Sequence, residues 1–144
     1  MDDGIVVPVM SYAFYNFYGL VGPTTKDVIL ADNIPISRYA TIGLSLRQHM
    51  KEIASGGSFV FVLFAINPSD HGGDDFFQGA AIGNTSSITG SGATALLGFV
   101  NPAPMISGVP HPMGRLLLRA TGTTSTPAAL MGIFSADLIL RSTT

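Results

Sequence analysis

Glycine and proline interrupt this sequence at short intervals. The 144 residues include 17 glycines and nine prolines. Few uninterrupted stretches could hold a long helix, whereas many fit strands of about five to ten residues. The run SFVFVLFAI at 58–66 is β-branched and aromatic, which is typical of a strand buried on both faces. We therefore predict an all-β fold, and the length suits one domain.

The amino-terminal segment GIVVPVMSYAFYNFYGLVGP at 4–23 is rich in Val, Tyr and Phe, which predicts one or two strands followed by a turn. We expect residues 1–23 to form a hydrophobic segment or arm, and residues 24–144 to form a single β-sandwich domain. The aromatic side chains of the amino-terminal segment either pack in the core or belong to an arm that binds a neighbouring subunit. The candidate interface residues are Tyr12, Phe14, Tyr15, Phe17 and Tyr18.

Apolar and polar residues alternate in the stretch at 40–52, with Ile42, Leu44, Leu46 and Met50 on one side. This period of two predicts a strand. A helix stays open as an alternative, because Leu46, Met50 and Ile53 also have helical spacing. The turn residues ASGG at 54–57 predict a central hairpin with the strand at 58–66.

The rest of the chain contributes further short strands. The small-residue stretch at 79–98 predicts a loop with one or two short strands, and the runs GRLLLRATGT and LMGIFSADLILR predict a second hairpin. The total of about seven or eight strands is typical of an antiparallel β-sandwich or a jelly roll.

Charge is scarce in this chain. Charged residues make up 11% and apolar residues 47% of the sequence, against about 25% charged in a typical soluble domain. No stretch approaches the roughly 20 apolar residues of a membrane-spanning helix, and the acidic start MDDG is unlike a signal peptide. We therefore expect no membrane partner, and we expect other copies or partners to cover the apolar surface.

Two classes of interaction are disfavoured by composition. The seven Lys and Arg residues are scattered and the net charge is −2, whereas binding to nucleic acid relies on clustered cations. We expect no direct contact with nucleic acid. The absence of cysteine excludes disulfides, thiolate zinc sites and cysteine nucleophiles.

The stretch DHGGDD contains three of the nine acidic residues, Asp70, Asp74 and Asp75. Their carboxylates are the hard oxygen ligands that calcium prefers. The spacing does not match the D-x-[DN]-x-[DN]-G calcium loop, however. We favour a solvent-facing loop tip, with a calcium site as the alternative.

No arrangement of residues predicts catalysis or a cofactor. The histidines His49, His71 and His111 lack the close spacing of zinc or iron sites, and no G-x-S-x-G motif is present. We predict no catalytic residue, no cofactor and no resident metal. A small jelly-roll enzyme remains a third possibility if folding brings the three histidines together.

The order of these segments resembles the small β-sandwich structural and decoration proteins of bacteriophage particles. A hydrophobic start is followed by the pair ATIGLSLRQHMKEI and SFVFVLFAIN, a small-residue middle, and the closing runs GRLLLRATGT and LMGIFSADLILR. The resemblance covers most of residues 24–144 and rests on pattern alone. It implies a non-enzymatic virion protein that is assembled in the host cytoplasm as a homo-oligomer with other virion proteins.

A carbohydrate-binding or adhesive module is the main alternative. Aromatic rings stack on sugars in such modules, and this chain offers four tyrosines for that purpose. They are Tyr12, Tyr15, Tyr18 and Tyr39.

Overall fold

The computed structural model describes residues 4–20, 22, 24–35, 41–67, 77–92, 94–102, 113–122 and 128–141. These contain eight strands: β1 (Gly4–Asn16), β2 (Thr24–Pro35), β3 (Thr41–Ile53), β4 (Ser58–Asn67), β5 (Phe77–Asn84), β6 (Thr94–Pro102), β7 (Met113–Gly122) and β8 (Leu130–Arg141). None of the described segments is a helix with the length and apolar character needed to cross a bilayer.

The strands form two antiparallel sheets of four strands each. One sheet has the order β1-β8-β3-β6 and the other has the order β2-β7-β4-β5. Among consecutive strands, only β4 and β5 are direct neighbours in one sheet, so every other connection takes the chain from one sheet to the other. Eight strands connected in this way form a jelly roll, which confirms the predicted all-β sandwich or jelly-roll fold.

The two predicted hairpins are wrong. β3 pairs with β6 and β8, whereas β4 pairs with β5 and β7. Likewise β7 and β8 lie in different sheets. The 54–57 turn does form, with the amide of Gly57 donating to the carbonyl of Ala54 at 3.0 Å. This turn takes the chain from one sheet to the other. The alternation of apolar and polar residues is the same on both sides of such a turn as in a hairpin, so it does not distinguish the two.

The core lies between the two sheets and has an aromatic centre. Phe134 of β8 meets Phe59 and Phe61 of β4 edge to face, with ring centroids 5.6 and 5.3 Å apart. All three rings are fully buried. Edge-to-face contacts of this kind stabilise the fold by more than their buried area alone would give. They therefore help to hold the two sheets together.

The amino-terminal segment contributes strand β1 to the first sheet. β1 pairs with β8 from Gly4 to Asn16 and lies at the edge of that sheet. Its inward side chains include Tyr15, whose ring centroid is 6.4 Å from that of Phe134. Residues 79–98 contribute most of β5 and the start of β6, a larger share of strand than their small side chains predict.

Strand β3 replaces the helix that stayed open for residues 40–52. A register shift between Gln48 and Met50 places one extra residue, His49, in β3 relative to β8. Such a bulge reverses the facing of the residues after it. Met50 therefore lies opposite Ile133 on the outer side and not, as predicted, on the same side as Leu46, and Lys51 turns inward.

Lys51 is only 8% exposed, and its ammonium donates to the side-chain oxygen of Gln48 at 3.1 Å. A buried ammonium needs hydrogen-bond partners to offset the loss of water. The bulge in β3 supplies one of them, because it brings residues three apart onto the same inner face.

Stability should depend on pH through Tyr15. Burial raises the pKa of the Tyr15 phenol above its ordinary value of 10.0. A raised folded-state pKa means that its stabilising effect is complete below the unfolded pKa and is lost as pH rises through the folded one. Above pH 10.0, we expect the free energy of unfolding of the wild type to fall more steeply than that of Tyr15→Phe.

Urea unfolding across a pH series measures both slopes. The two proteins should show the same pH dependence near about pH 7, where a tyrosine is neutral in both states. Parallel curves at alkaline pH would show that Tyr15 ionises equally well in the folded and unfolded chain.

Candidate functional site

Apolar side chains are exposed on the outer side of the first sheet. They come from three neighbouring strands and form a surface that we call the β8 face. Its members are Val6, Tyr12 and Phe14 of β1, Met50 of β3, and Ile133 and Ile139 of β8. Val6, Tyr12 and Phe14 are 61%, 68% and 56% exposed, whereas the other three are half-buried.

The strand register arranges the β8 face in rows. Phe14, Ile133 and Met50 lie opposite one another on three adjacent strands, and Val6 lies opposite Ile139 in a second row. Cross-strand apolar neighbours of this kind are close enough to touch. The face is therefore continuous across β1, β8 and β3.

Tyr12 lies between these rows and has an unusual backbone. Its φ is 50°, and it is the single non-glycine residue with positive φ in the described part of the chain. A bulky side chain in this region costs about 1–3 kcal/mol and persists where the surroundings hold it. The register shift between Met10 and Ala13 shows that Tyr12 lies within a bulge of β1.

Ser135 and His49 hold Tyr12 in this conformation. The Tyr12 amide donates to the Ser135 hydroxyl at 2.9 Å, and His49 Nε2 lies 2.7 Å from the same hydroxyl oxygen. The Tyr12 ring stacks on the His49 imidazole, with centroids 3.9 Å apart and planes 13° from parallel. The bulges of β1 and β3 therefore meet on β8, at a residue that points outward because Phe134 and Ala136 point inward.

A serine and a histidine in contact raise the question of nucleophilic catalysis. Such a pair needs a third group to orient the histidine. Within the described residues, no carboxylate hydrogen-bonds to His49, and the Tyr12 ring covers one face of the imidazole. The geometry is that of a structural contact, in which Ser135 and His49 hold Tyr12 and the β1 bulge in place.

Sequence reasoning identified Tyr12 and missed Ser135. The alternation in LMGIFSADLILR carries a usable signal, because inward Phe134 and Ala136 put Ser135 on the outer side. No sequence signal predicts the contact between Ser135 and His49, because it depends on which residues of β3 and β8 lie side by side.

The outer side of the second sheet differs from the β8 face. Val62, Phe64 and Leu117 form a small cluster there, and all three are buried. The Arg119 guanidinium lies over the Phe64 ring, 5.8 Å from its centroid. Ile29 is the one large apolar residue with high exposure in the described part of this side, at 53%.

Two bidentate ion pairs cross that outer side from β7 to the edge strand β2. Arg119 contacts both carboxylate oxygens of Asp27, and Arg115 contacts both of Asp32, at 2.8–3.1 Å. The hydrogen bond with Asp27 raises the pKa of Arg119; burial opposes this rise in part, and the charge of Asp27 adds a smaller increase. Geometry of this type is the more favourable form of a surface ion pair.

The five aromatic candidates of the amino-terminal segment occupy different positions. Tyr12 and Phe14 belong to the β8 face. Tyr18 is exposed in the turn after β1, where its amide donates to the Asn16 side chain at 3.0 Å. Tyr15 and Phe17 pack against the core, and the Phe17 ring lies 5.8 Å from that of Phe59.

The predicted metal ligands are mostly beyond the part of the chain that the structure describes. Asp70, Asp74 and Asp75 lie outside it, as do His71 and His111. The calcium alternative for the DHGGDD stretch therefore stays a prediction. Among the residues that are described, no three His, Asp or Glu side chains are grouped so that they could hold a metal ion.

The stack of Tyr12 on His49 should be measurable as a coupling energy. Tyr12→Gly removes the ring but relieves the positive φ, so the change should be more favourable in a His49→Ala background, where no stack exists to be lost. We expect a difference of about 0.5–1.5 kcal/mol between the two backgrounds. Chemical denaturation of the four proteins measures it.

Tyr18→Gly in the same two backgrounds is the matched control. Tyr18 is as exposed as Tyr12, at 68%, and its effect should be additive with His49→Ala. If Tyr12→Gly were equally additive, the stack would contribute nothing to stability.

Comparison with solved structures shows where this fold occurs. The chain is similar to the structure of infectious bursal disease virus Gx strain, with a TM-score of 0.60 and 14% identity over 98% of this chain. It is similar to the VP2 subviral particle of the same virus, with a TM-score of 0.60 and 13% identity over 97%. The T=1 particles derived from that virus give a TM-score of 0.58 and 14% identity over 97%.

The chain spans about a third of the length of those viral chains, 33%, 33% and 31% respectively. No protein-family model and no curated protein matches the sequence. At this identity the likeness concerns the fold. The chain has a β fold of the type found in viral particles.

Proposed function

We propose that this protein is a non-enzymatic structural component of a virus particle and that it assembles from multiple copies. The observation that carries the proposal is the likeness of nearly the whole chain, 98%, to a chain of infectious bursal disease virus. Jelly rolls also occur in lectins and cupins, so the fold alone leaves these classes open. The surface of the molecule favours the first.

The surface supports assembly because charges are scarce in the chain and apolar side chains are exposed together on one sheet. Only 11% of the residues are charged, and the β8 face exposes apolar groups on three adjacent strands. Contiguous exposed apolar surface marks association sites, and permanent interfaces are more apolar than transient ones. A protein that functions as a permanent multimer would have such a surface.

The finer proposal follows the resemblance to bacteriophage proteins. The chain would decorate or help to build a bacteriophage particle, with further copies and other virion proteins as partners. It would be assembled in the cytoplasm of the host without direct contact with nucleic acid or membrane. Two of its cations, Arg115 and Arg119, form ion pairs with Asp32 and Asp27, which makes these two side chains less available to a phosphate backbone.

Carbohydrate binding is the second candidate, and Tyr12 is the observation that favours it. Its ring is exposed, and contacts with His49 and Ser135 hold it in place. A rigid aromatic ring is suited to stacking on a sugar. A glycan array would detect such binding, and loss of the signal in Tyr12→Ala would assign it to this ring.

Assembly is tested on the purified chain. We expect size-exclusion chromatography with light scattering to show a mass of several copies that grows with concentration, and negative-stain microscopy to show regular multimers. Interfaces of standard size bury about 1,600 Å² in total, so association should be detectable at micromolar concentration. A monodisperse monomer at all concentrations would contradict the structural role.

A further inference from the structure

We propose that the β8 face is the surface on which a second copy of this chain docks, face against face. The inference rests on the proposed function, since it names the contact through which copies associate. Four observations carry it: the exposed apolar rows, the fixed position of Tyr12, the charges on the face, and the interrupted edge of β1.

The two outer sides of the sandwich differ in how far they are already covered. On the second sheet, the apolar cluster Val62, Phe64 and Leu117 is buried within the subunit. On the first sheet, Val6, Tyr12 and Phe14 each keep more than half of their surface exposed. Aromatic residues contribute most to the cores of interfaces. The β8 face is therefore the side that gains most from a partner.

Tyr12 is preorganised for contact. An exposed tyrosine ordinarily loses rotamer freedom when a partner immobilises it. Here the bulge, the amide bond to Ser135 and the stack on His49 fix the ring before any partner arrives. The strain at φ 50° is then the cost of presenting the ring outward, and strained residues are concentrated at binding sites.

The charges on the β8 face point to a second copy as the occupant. Arg47 of β3 lies opposite Ser135, and Asp137 of β8 lies opposite Ser45, so a cation and an anion stand two residues apart on adjacent strands. Neither makes an ion pair with another described residue. A face that carries both signs is complementary to itself in a two-fold dimer, in which each Arg47 can meet the Asp137 of the other copy.

Pairing through the edge of the sheet is disfavoured. β1 is one of the two edge strands of the first sheet, and strands of two copies could in principle pair there. Pro8 lacks an amide hydrogen, and two register shifts interrupt β1 between Pro8 and Ala13. Proline and bulges are the devices that block edge pairing. At this end of the sheet, the face is therefore better suited to association than the β1 edge.

A charged side chain in the apolar row tests the location. Phe14→Asp should raise the Kd for self-association by about 30-fold or more, as expected at the centre of an interface. The matched control is Ile29→Asp, which places the same charge at a similarly exposed apolar residue on the other sheet and should leave association unchanged. Circular dichroism confirms that both variants are folded.

A mixing experiment tests the two-fold arrangement independently of Phe14. Arg47→Asp makes positions 47 and 137 both anionic, and Asp137→Arg makes them both cationic. Each variant alone should associate about tenfold more weakly than the wild type, because like charges meet across the interface. An equimolar mixture of the two should recover association, since position 47 of each copy then meets an opposite charge at position 137 of the other.

The outcomes separate this inference from the proposed function. If the wild type assembles, loss in Phe14→Asp and recovery in the mixture support the docking surface. If the wild type assembles and Phe14→Asp assembles equally well, the docking surface is wrong and the structural role stands. If the wild type stays monomeric, both fail, and glycan binding that is lost in Tyr12→Ala would assign the face to sugars.

Discussion

Strand β8 is hydrogen-bonded along both edges, to β1 on one side and to β3 on the other, and the rest of the molecule depends on this position. Its inward residue Phe134 packs edge to face against Phe59 and Phe61 of the opposite sheet. The next residue, Ser135, points outward and bonds to both Tyr12 and His49. One pair of adjacent residues thus joins the core of the sandwich to its outer surface.

This arrangement explains how a chain with so few charges can present a defined apolar surface. An apolar surface without fixed geometry invites nonspecific association. Here β1 is tied to β8 along its length, its bulge is held by side-chain contacts, and its edge is interrupted by Pro8. The ion pairs Asp27–Arg119 and Asp32–Arg115 meanwhile neutralise the other outer side. These features favour the proposed association through the β8 face over pairing along β1.

The sequence predicts the fold class and part of the buried core. The alternation in β8 and the continuous apolar run of β4 are local patterns, and Leu138, Leu140 and Phe61 are buried as these patterns indicate. The pairing of strands could not be predicted, because β3 and β4 read as a hairpin and yet belong to different sheets. The direction of a short turn relative to two stacked sheets is a tertiary property.

The candidate site shows the same division. Exposure of Tyr12 and Phe14 follows from an aromatic run on an edge strand, which a sequence can suggest. The contact between His49 and Ser135 depends on a bulge that shifts β3 by one residue, and the same bulge exchanges Met50 for Lys51 on the inner face. The alternation of apolar and polar residues does not reveal a single extra residue. The apolar residues on either side of the bulge are compatible with both facings of the strand.

Hydroxyl-radical footprinting of the assembled and the dissociated protein would test the central claim most directly. Tyr12 and Phe14 are exposed in the single chain, and docking through the β8 face predicts that both become protected from oxidation on assembly. Tyr18, which is equally exposed at 68% but lies in the turn after β1, should stay reactive. Protection of Tyr18 with unchanged oxidation of Tyr12 and Phe14 would contradict the claim.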